Sequence, residues 1–240
     1  MLIPIPPMLH ISIKICYYNN MNNQSQGQGE TKGRAKSGTK DKAKGRSKLK
    51  ILNYILKAII FLSGLVLMVM FFSKASGTYK IWSYLATMAL PFSVDLVHLL
   101  GLKISDRLEA AILIFIIPAM ILGIDLDWYK IIYPFDKIVH GASGILAAFG
   151  AREIINQASG KPDNIWFKVT FSICFVSFTA VTWECIEFLI DRFAGTNMQE
   201  LITPGIEDTM FDLIVAMLGG IIGTVLAFGH LGSTKNKTKK

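Results

Sequence analysis

Charge is scarce in this sequence: 18% of its 240 residues are Asp, Glu, Lys or Arg, while 52% are hydrophobic. A soluble domain of that length needs more polar sequence to cover its core. Zinc-type cysteine spacing is also missing. The three cysteines, Cys16, Cys174 and Cys185, leave an odd thiol in any pairing, and the last two read as small fillers within one apolar stretch. No His-Glu-x-x-His pattern occurs, which removes a common zinc-hydrolase signature. The first twenty residues are apolar but hold Pro4, Pro6 and Pro7, with no basic lead-in and no small-residue cleavage site. A signal peptide is therefore a poor description, and Met21 is the alternative start.

What polar sequence exists is unevenly placed. Lys and Arg crowd residues 32–50 and the last six positions, around a hydrophobic body with an overall mean hydropathy of +0.44. The net charge of +8 fits basic tails lying against anionic lipid headgroups better than nucleic-acid binding. Residues 1–50 are expected to be a disordered basic tail, 51–231 a membrane domain, and 232–240 a second basic tail.

Apolar runs of about 20 residues, the length that crosses a bilayer, occur at 51–72, 81–100, 108–126, 133–155, 165–190 and 208–231. The fold expected is all-α, a polytopic bundle of about six transmembrane helices, with a kink at Pro91 in the second. The positive-inside rule gives the direction. Nine basic residues between Lys32 and Lys50, then Lys103, Arg107, Arg152, Lys161, Lys168 and the C-terminal lysines, share one side if both termini are cytoplasmic. The opposite side receives only Lys74, Lys80, Lys130, Lys137 and Arg192.

Acids show the reverse bias: ten of the seventeen fall at the outer ends, several of them inside spans. In the fourth span Asp136 and His140 are four apart and so share a helix face, which continues through Ser143, Gly144 and Ala147. In the fifth, Glu184 and Glu187 are three apart, with Asp191 one turn on. The sixth opens with Asp208 and Asp212 and continues through Ala216, Gly219 and Gly223, a stripe suited to close helix packing. At 1.5 Å of rise per residue, His140, Glu184, Glu187 and Asp212 all lie roughly 5–10 Å inside the outer end. Short antiparallel connections would bring them together.

The bland reading is capping and helix pairing: Asp136 and Asp208 as N-caps, Asp191 with Arg192 as a solvated end, Asp95 and His98 as a packed pair beside the kink. Trp128, Tyr129, Tyr133, Trp166 and Trp183 read mostly as interfacial belt residues. Gln199 is the loop residue placed to reach the cluster. Against the bland reading, a carboxylate within a span costs roughly 2.5–3.5 kcal/mol on insertion scales. Five carboxylates and one imidazole cannot all stay charged without a partner. Either some are protonated, which makes an acid/base site with His140, Glu184 and Glu187 as catalytic groups. Or a divalent cation is held, with Asp136, His140, Glu184, Glu187, Asp208 and Asp212 as the ligand pool.

The run from Tyr133 to His140, then Trp183-Glu184 with Glu187, then Asp208-Thr209-Met210-Phe211-Asp212-Leu213, resembles the YjdF-like bacterial membrane proteins, a multi-spanning family of unknown function. More remotely, the Asp-Lys-x-x-His helix start, a Glu-bearing helix and a late Asp-to-Gly helix look like the VanZ-like family, associated with glycopeptide resistance at the cell envelope. Ala216 departs from that pattern, which carries a polar residue there. The resemblance implies a bacterial cytoplasmic membrane and an envelope-facing role, and no reaction. Three functional classes remain open: an envelope-facing enzyme acting on a lipid or lipid-linked group, a cation- or proton-coupled transporter, and a non-catalytic membrane scaffold.

Overall fold

The computed structural model describes residues 35–71, 78–132, 134–158, 162–194, 198 and 205–229. All regular structure among them is helical: α1 Ala35–Phe71, α2 Thr78–Ala89, a 3-10 turn Leu90–Phe92, α3 Ser93–Leu99, α4 Asp106–Ile116, a π-helical segment Ile117–Asp125, α5 Trp128–Ile131, α6 Phe135–Gln157, α7 Ile165–Ala194 and α8 Gly205–Phe228. The chain divides into compact units Met1–Lys44 and Gly45–Lys240, and the site lies wholly in the second. Helix α1 begins at Ala35, so residues 35–50 are helical where a disordered tail was expected.

Among the described residues, five helices are long and apolar enough to cross a membrane: Ser47–Phe71, Asp106–Asp125, Phe135–Gln157, Ile165–Phe193 and Ile206–Phe228. The chain is a multi-pass all-α membrane protein. The second expected span, 81–100, is not among these five: it exists as two helices joined by the 3-10 turn, with buried Pro91 at its centre. Proline lacks an N–H and its ring displaces the carbonyl of the preceding turn, so the α-pattern breaks there.

The same physics acts at Pro118. Helix α4 starts cleanly: Ser105 caps it by accepting the Leu108 N–H at 3.4 Å, and Asp106 and Glu109 occupy its positive first turn. Pro118 then removes a donor, and the helix continues with the wider π pattern, closing with Leu126 N–H on Ile121 O at 2.9 Å. Ile60 of α1 packs with Leu113, Ile116 and Met120 to form the core of this half.

The other half is built by α6, α7 and α8, with α6 and α8 the most extensive pairing in the chain. Small residues make that pairing possible. A Cβ on Gly144 would sit 1.9 Å from Ala216 O, and one on Gly219 2.0 Å from Gly141 O, so the two backbones touch. Across α7 and α8, the Ser172 and Thr224 hydroxyls bond at 2.7 Å in a buried position. Ile138, Phe178, Leu218 and Val225 are exposed large apolar side chains suited to lipid. Cys174 and Cys185 are exposed as well, so they are surface residues and not core fillers.

An ionic network centred on the buried Lys57 and Glu109, with Asp95 half exposed, ties the first half together and was not foreseen from the sequence. Lys57 of α1 reaches Asp95 Oδ2 on α3 at 2.7 Å and Glu109 Oε1 on α4 at 2.8 Å, and Asn53 donates to Glu109 Oε2 at 2.9 Å. Asp95 is thus Lys57's partner and is not paired with His98, whose ring engages the Ile104 backbone N–H at 3.1 Å.

Candidate functional site

Helix α6 carries the centre of the site. Asp136 and His140 stand one turn apart, with Asp136 Oδ1 3.4 Å from His140 Nε2. The glycine seam draws α8 against this face and sets Asp212 Oδ1 3.9 Å from the same nitrogen. Helix α7 supplies Glu184, whose Oε1 is 3.9 Å from the other ring nitrogen, Nδ1. One imidazole is therefore flanked by three carboxylates from three helices, and His140, Glu184 and Asp212 are all buried. Neither Glu184 oxygen has a donor at bonding geometry, and Thr209 on α8 is its polar neighbour.

Glu187 sits one turn further on, within electrostatic reach of Glu184 and His140. Its Oε1 accepts the Trp183 indole N–H at 2.6 Å. That bond gives Trp183 a structural task beyond the interfacial belt. Asp208 and Asp136 are not N-caps: Pro134 occupies the cap of α6, and α8 begins at Gly205. Both acids instead meet Lys137. Its ammonium lies 3.0 Å from Asp136 Oδ2 and 2.7 Å from Asp212 Oδ1, and also pairs with Asp208 Oδ1. Asp191 accepts the Met198 backbone N–H at 2.7 Å, so it is more than a solvated helix end. Gln199 falls outside the described residues, as do Tyr133, His10 and His230.

Lys137 is the member that sequence reasoning passed over. It lies inside the Asp-Lys-x-x-His run, but a lysine near a helix end is ordinarily an orientation signal. With five carboxylates, Lys137 and a protonated His140, the cluster would still carry a surplus of negative charge. That surplus must be met by protons or by a cation.

Donor atoms of Asp136, His140 and Asp212 all lie within 4.8 Å of one another. Two ligands each ~2.1 Å from one ion can be at most ~4.2 Å apart. The 3.4 and 3.9 Å separations at His140 Nε2 fall inside that limit. Glu184 on Nδ1 is then placed to orient the ring, as carboxylates behind metal-bound histidines commonly do. Of the six-residue ligand pool, Asp136, His140 and Asp212 are the three whose donor atoms converge, with Glu184 on the far ring nitrogen; Glu187 bonds Trp183, and Lys137 is shared by Asp136, Asp208 and Asp212.

Below the cluster lies a cavity of about 300 Å³ whose wall includes His140, Ser143, Ala147, Trp183, Met120 and Ile112. Tyr129 also lines it, after packing its ring onto Gly123 and donating to Ala119 O at 3.0 Å. Burial, reinforced by the charges of Asp136, Glu187 and Asp212, holds its phenol well above the usual tyrosine range. Asp127, in the left-handed backbone region at φ 59°, anchors this corner. Burial opposes its charge, yet hydrogen bonds from Lys80 and Lys130 prevail and hold its carboxyl below the usual range.

The family model described as "Predicted membrane protein (DUF2238)" matches residues 55–233. The chain belongs to that family. The DUF2238 match covers every residue of the cluster, the last four spans and the first span from residue 55 on, in line with the resemblance to YjdF-like proteins. A curated relative, an "Uncharacterized protein" of Thermotoga maritima, is 30% identical over 100 residues, which is 41% of this chain and 50% of the relative. The chain thus matches about half the length of that relative. No solved structure matches this DUF2238 chain.

Proposed function

We propose that this membrane protein is an envelope-facing enzyme of the bacterial cytoplasmic membrane, with both termini cytoplasmic, acting on the head group of a lipid or lipid-linked molecule at the outer leaflet. The observation that carries the proposal is the position of His140. It stands between Asp136, Asp212 and Glu184 and forms the upper wall of a mostly apolar cavity. An amphiphile needs both environments, charged at one end and apolar at the other.

In this reading a divalent cation is held by Asp136, His140 Nε2 and Asp212. One His with two carboxylates suits Mn²⁺ or Zn²⁺ better than Ca²⁺. Bound there, such a cation would supply Lewis acidity towards a head-group oxygen. Glu184, buried beside His140 Nδ1 with the Thr209 hydroxyl as its neighbour, is the proton acceptor. Glu187, fixed by the Trp183 indole N–H, stands one turn behind it. Lys137 neutralises Asp208 and shares Asp136 and Asp212 with the cation.

The test uses the full chain in vesicles of bacterial phospholipid with Mn²⁺, the lipids being profiled by mass spectrometry over time. The wild type should change one lipid class, and His140→Ala and Glu184→Gln should not. No change with the wild type, or equal change with both variants, contradicts the reading. Cation- or proton-coupled transport is the second reading. It is favoured by the Lys57–Asp95–Glu109 network on the far side of the cavity. Cation or proton flux in sealed vesicles, lost in Glu109→Gln, would establish it instead.

A further inference from the structure

We infer that the cavity beneath His140 holds one acyl chain of an outer-leaflet phospholipid, drawn into the protein between α3, α4, the π segment, α6 and α7. The inference rests on the enzyme reading above and specifies its substrate class: a bilayer lipid whose tail enters the cavity while its head group meets the cluster.

The first argument is the wall. Leu90, Ile112, Phe115, Met120, Val176 and Ala180 make it apolar. Two of its hydroxyls turn back on their own helices, Ser143 to His140 O at 2.7 Å and Thr179 to Val176 O at 2.9 Å. A buried water needs two to four polar partners, and this wall offers few. Left empty, it forfeits dispersion contacts on every side. Its volume of about 300 Å³ is at the lower end for ligand pockets, roughly 300–1,000 Å³.

Length is the second argument. Lining residues run from Ile112 to Met120 along α4 and the π segment, about 12 Å of helical rise. One leaflet of the hydrocarbon core is about 15 Å deep. An acyl chain spans one leaflet, so it fits; a polyprenyl chain longer than a leaflet does not.

The third argument is the two ends. At the outer end stand His140 and Trp183, with Glu184 behind His140, its oxygens lacking a donor. At the other end the lining reaches Ser93 of α3 and Ile112 of α4, and Glu109, the ion partner of Lys57, lies one turn further along α4, outside the wall. A polar head end and an apolar run of this length make a slot of about one-leaflet depth.

The probe is a phosphatidylglycerol carrying a photoactivatable diazirine near the end of one acyl chain, mixed into phosphatidylethanolamine vesicles with the full protein. After irradiation, label should map to peptides covering Ile112–Met120 and Ala147. Ala147→Phe, which fills the slot, should cut that label at least tenfold while leaving label on the lipid-facing residues Leu218 and Val225. If Ala147→Phe fails to fold, Ala180→Leu takes its place, and the wild-type map alone still decides. Label confined to lipid-facing residues, or unchanged by filling the slot, overturns the inference; so does labelling by a prenyl-phosphate diazirine in preference to the acyl probe. The enzyme reading fails separately. Slot labelling with no lipid turnover would leave the acyl slot standing and remove the catalytic role.

Discussion

Substituting Gly144 with Ala tests whether helix packing sets the site. The added Cβ would lie 1.9 Å from Ala216 O, a backbone atom that cannot swing aside. Restoring ordinary contact at about 3.4 Å forces α6 and α8 apart by about 1.5 Å, because interiors are close-packed and transmit such strain. His140 Nε2 and Asp212 Oδ1 are 3.9 Å apart in the native protein. Opening the seam takes them to about 5.4 Å, beyond the ~4.2 Å that one ion can bridge. Two losses should follow. Intrinsic stability falls by about 1–3 kcal/mol from overpacking. The stabilisation from a cation at a hundred times its Kd, about 2.7 kcal/mol by mass action, disappears. Melting in detergent with and without Mn²⁺ measures both. Gly150→Ala is the control, because its Cβ meets only Phe175 Cε1 at an ordinary 3.5 Å. A Gly144→Ala protein that melts like wild type and keeps its Mn²⁺ shift would refute the link between seam and site.

Replacing Lys137 with Gln removes the ammonium shared by Asp136, Asp208 and Asp212; melting without Mn²⁺ should fall, and the Mn²⁺-induced rise should exceed that of the wild type. Ser172→Ala breaks the buried bond to Thr224 and should cost about 0.6 kcal/mol, at most about 1.7, the range for interhelical hydrogen bonds in membranes, read by unfolding in mixed micelles. For orientation, a cysteine-free background carrying single cysteines at Ile131 or Asp163 should react with an impermeant thiol reagent in intact cells only at Ile131; labelling only at Asp163 would invert the topology.

Much of the site was legible because its chemistry repeats on helix faces. Asp136 with His140, and Asp208 with Asp212, are i,i+4 pairs, and a shared depth on three spans brought His140, Glu184 and Asp212 together. The stripe Gly144, Ala216, Gly219 and Gly223 announced the seam. What escaped were contacts with no local period. Lys137 resembles an orientation lysine until Asp208 and Asp212 arrive from another helix. Lys57 is a lone cation in an apolar run, and its partner Asp95 is 38 residues away. Nothing in the sequence around Pro118 separates a π segment from a kinked α-helix, since both leave the apolar pattern intact. The cavity was equally hidden: its wall is assembled from six separate stretches of the chain, each ordinary on its own.

The central claim is that Asp136, His140 and Asp212 hold a divalent cation, and diffraction at the manganese absorption edge from Mn²⁺-soaked crystals of the full chain tests it most directly. The account predicts one strong anomalous peak within bonding distance, about 2.0–2.2 Å, of His140 Nε2 and carboxylate oxygens of Asp136 and Asp212, and its loss in Asp212→Asn. Crystals that show no peak there at saturating Mn²⁺, with Lys137 still bridging Asp136 and Asp212, would contradict it.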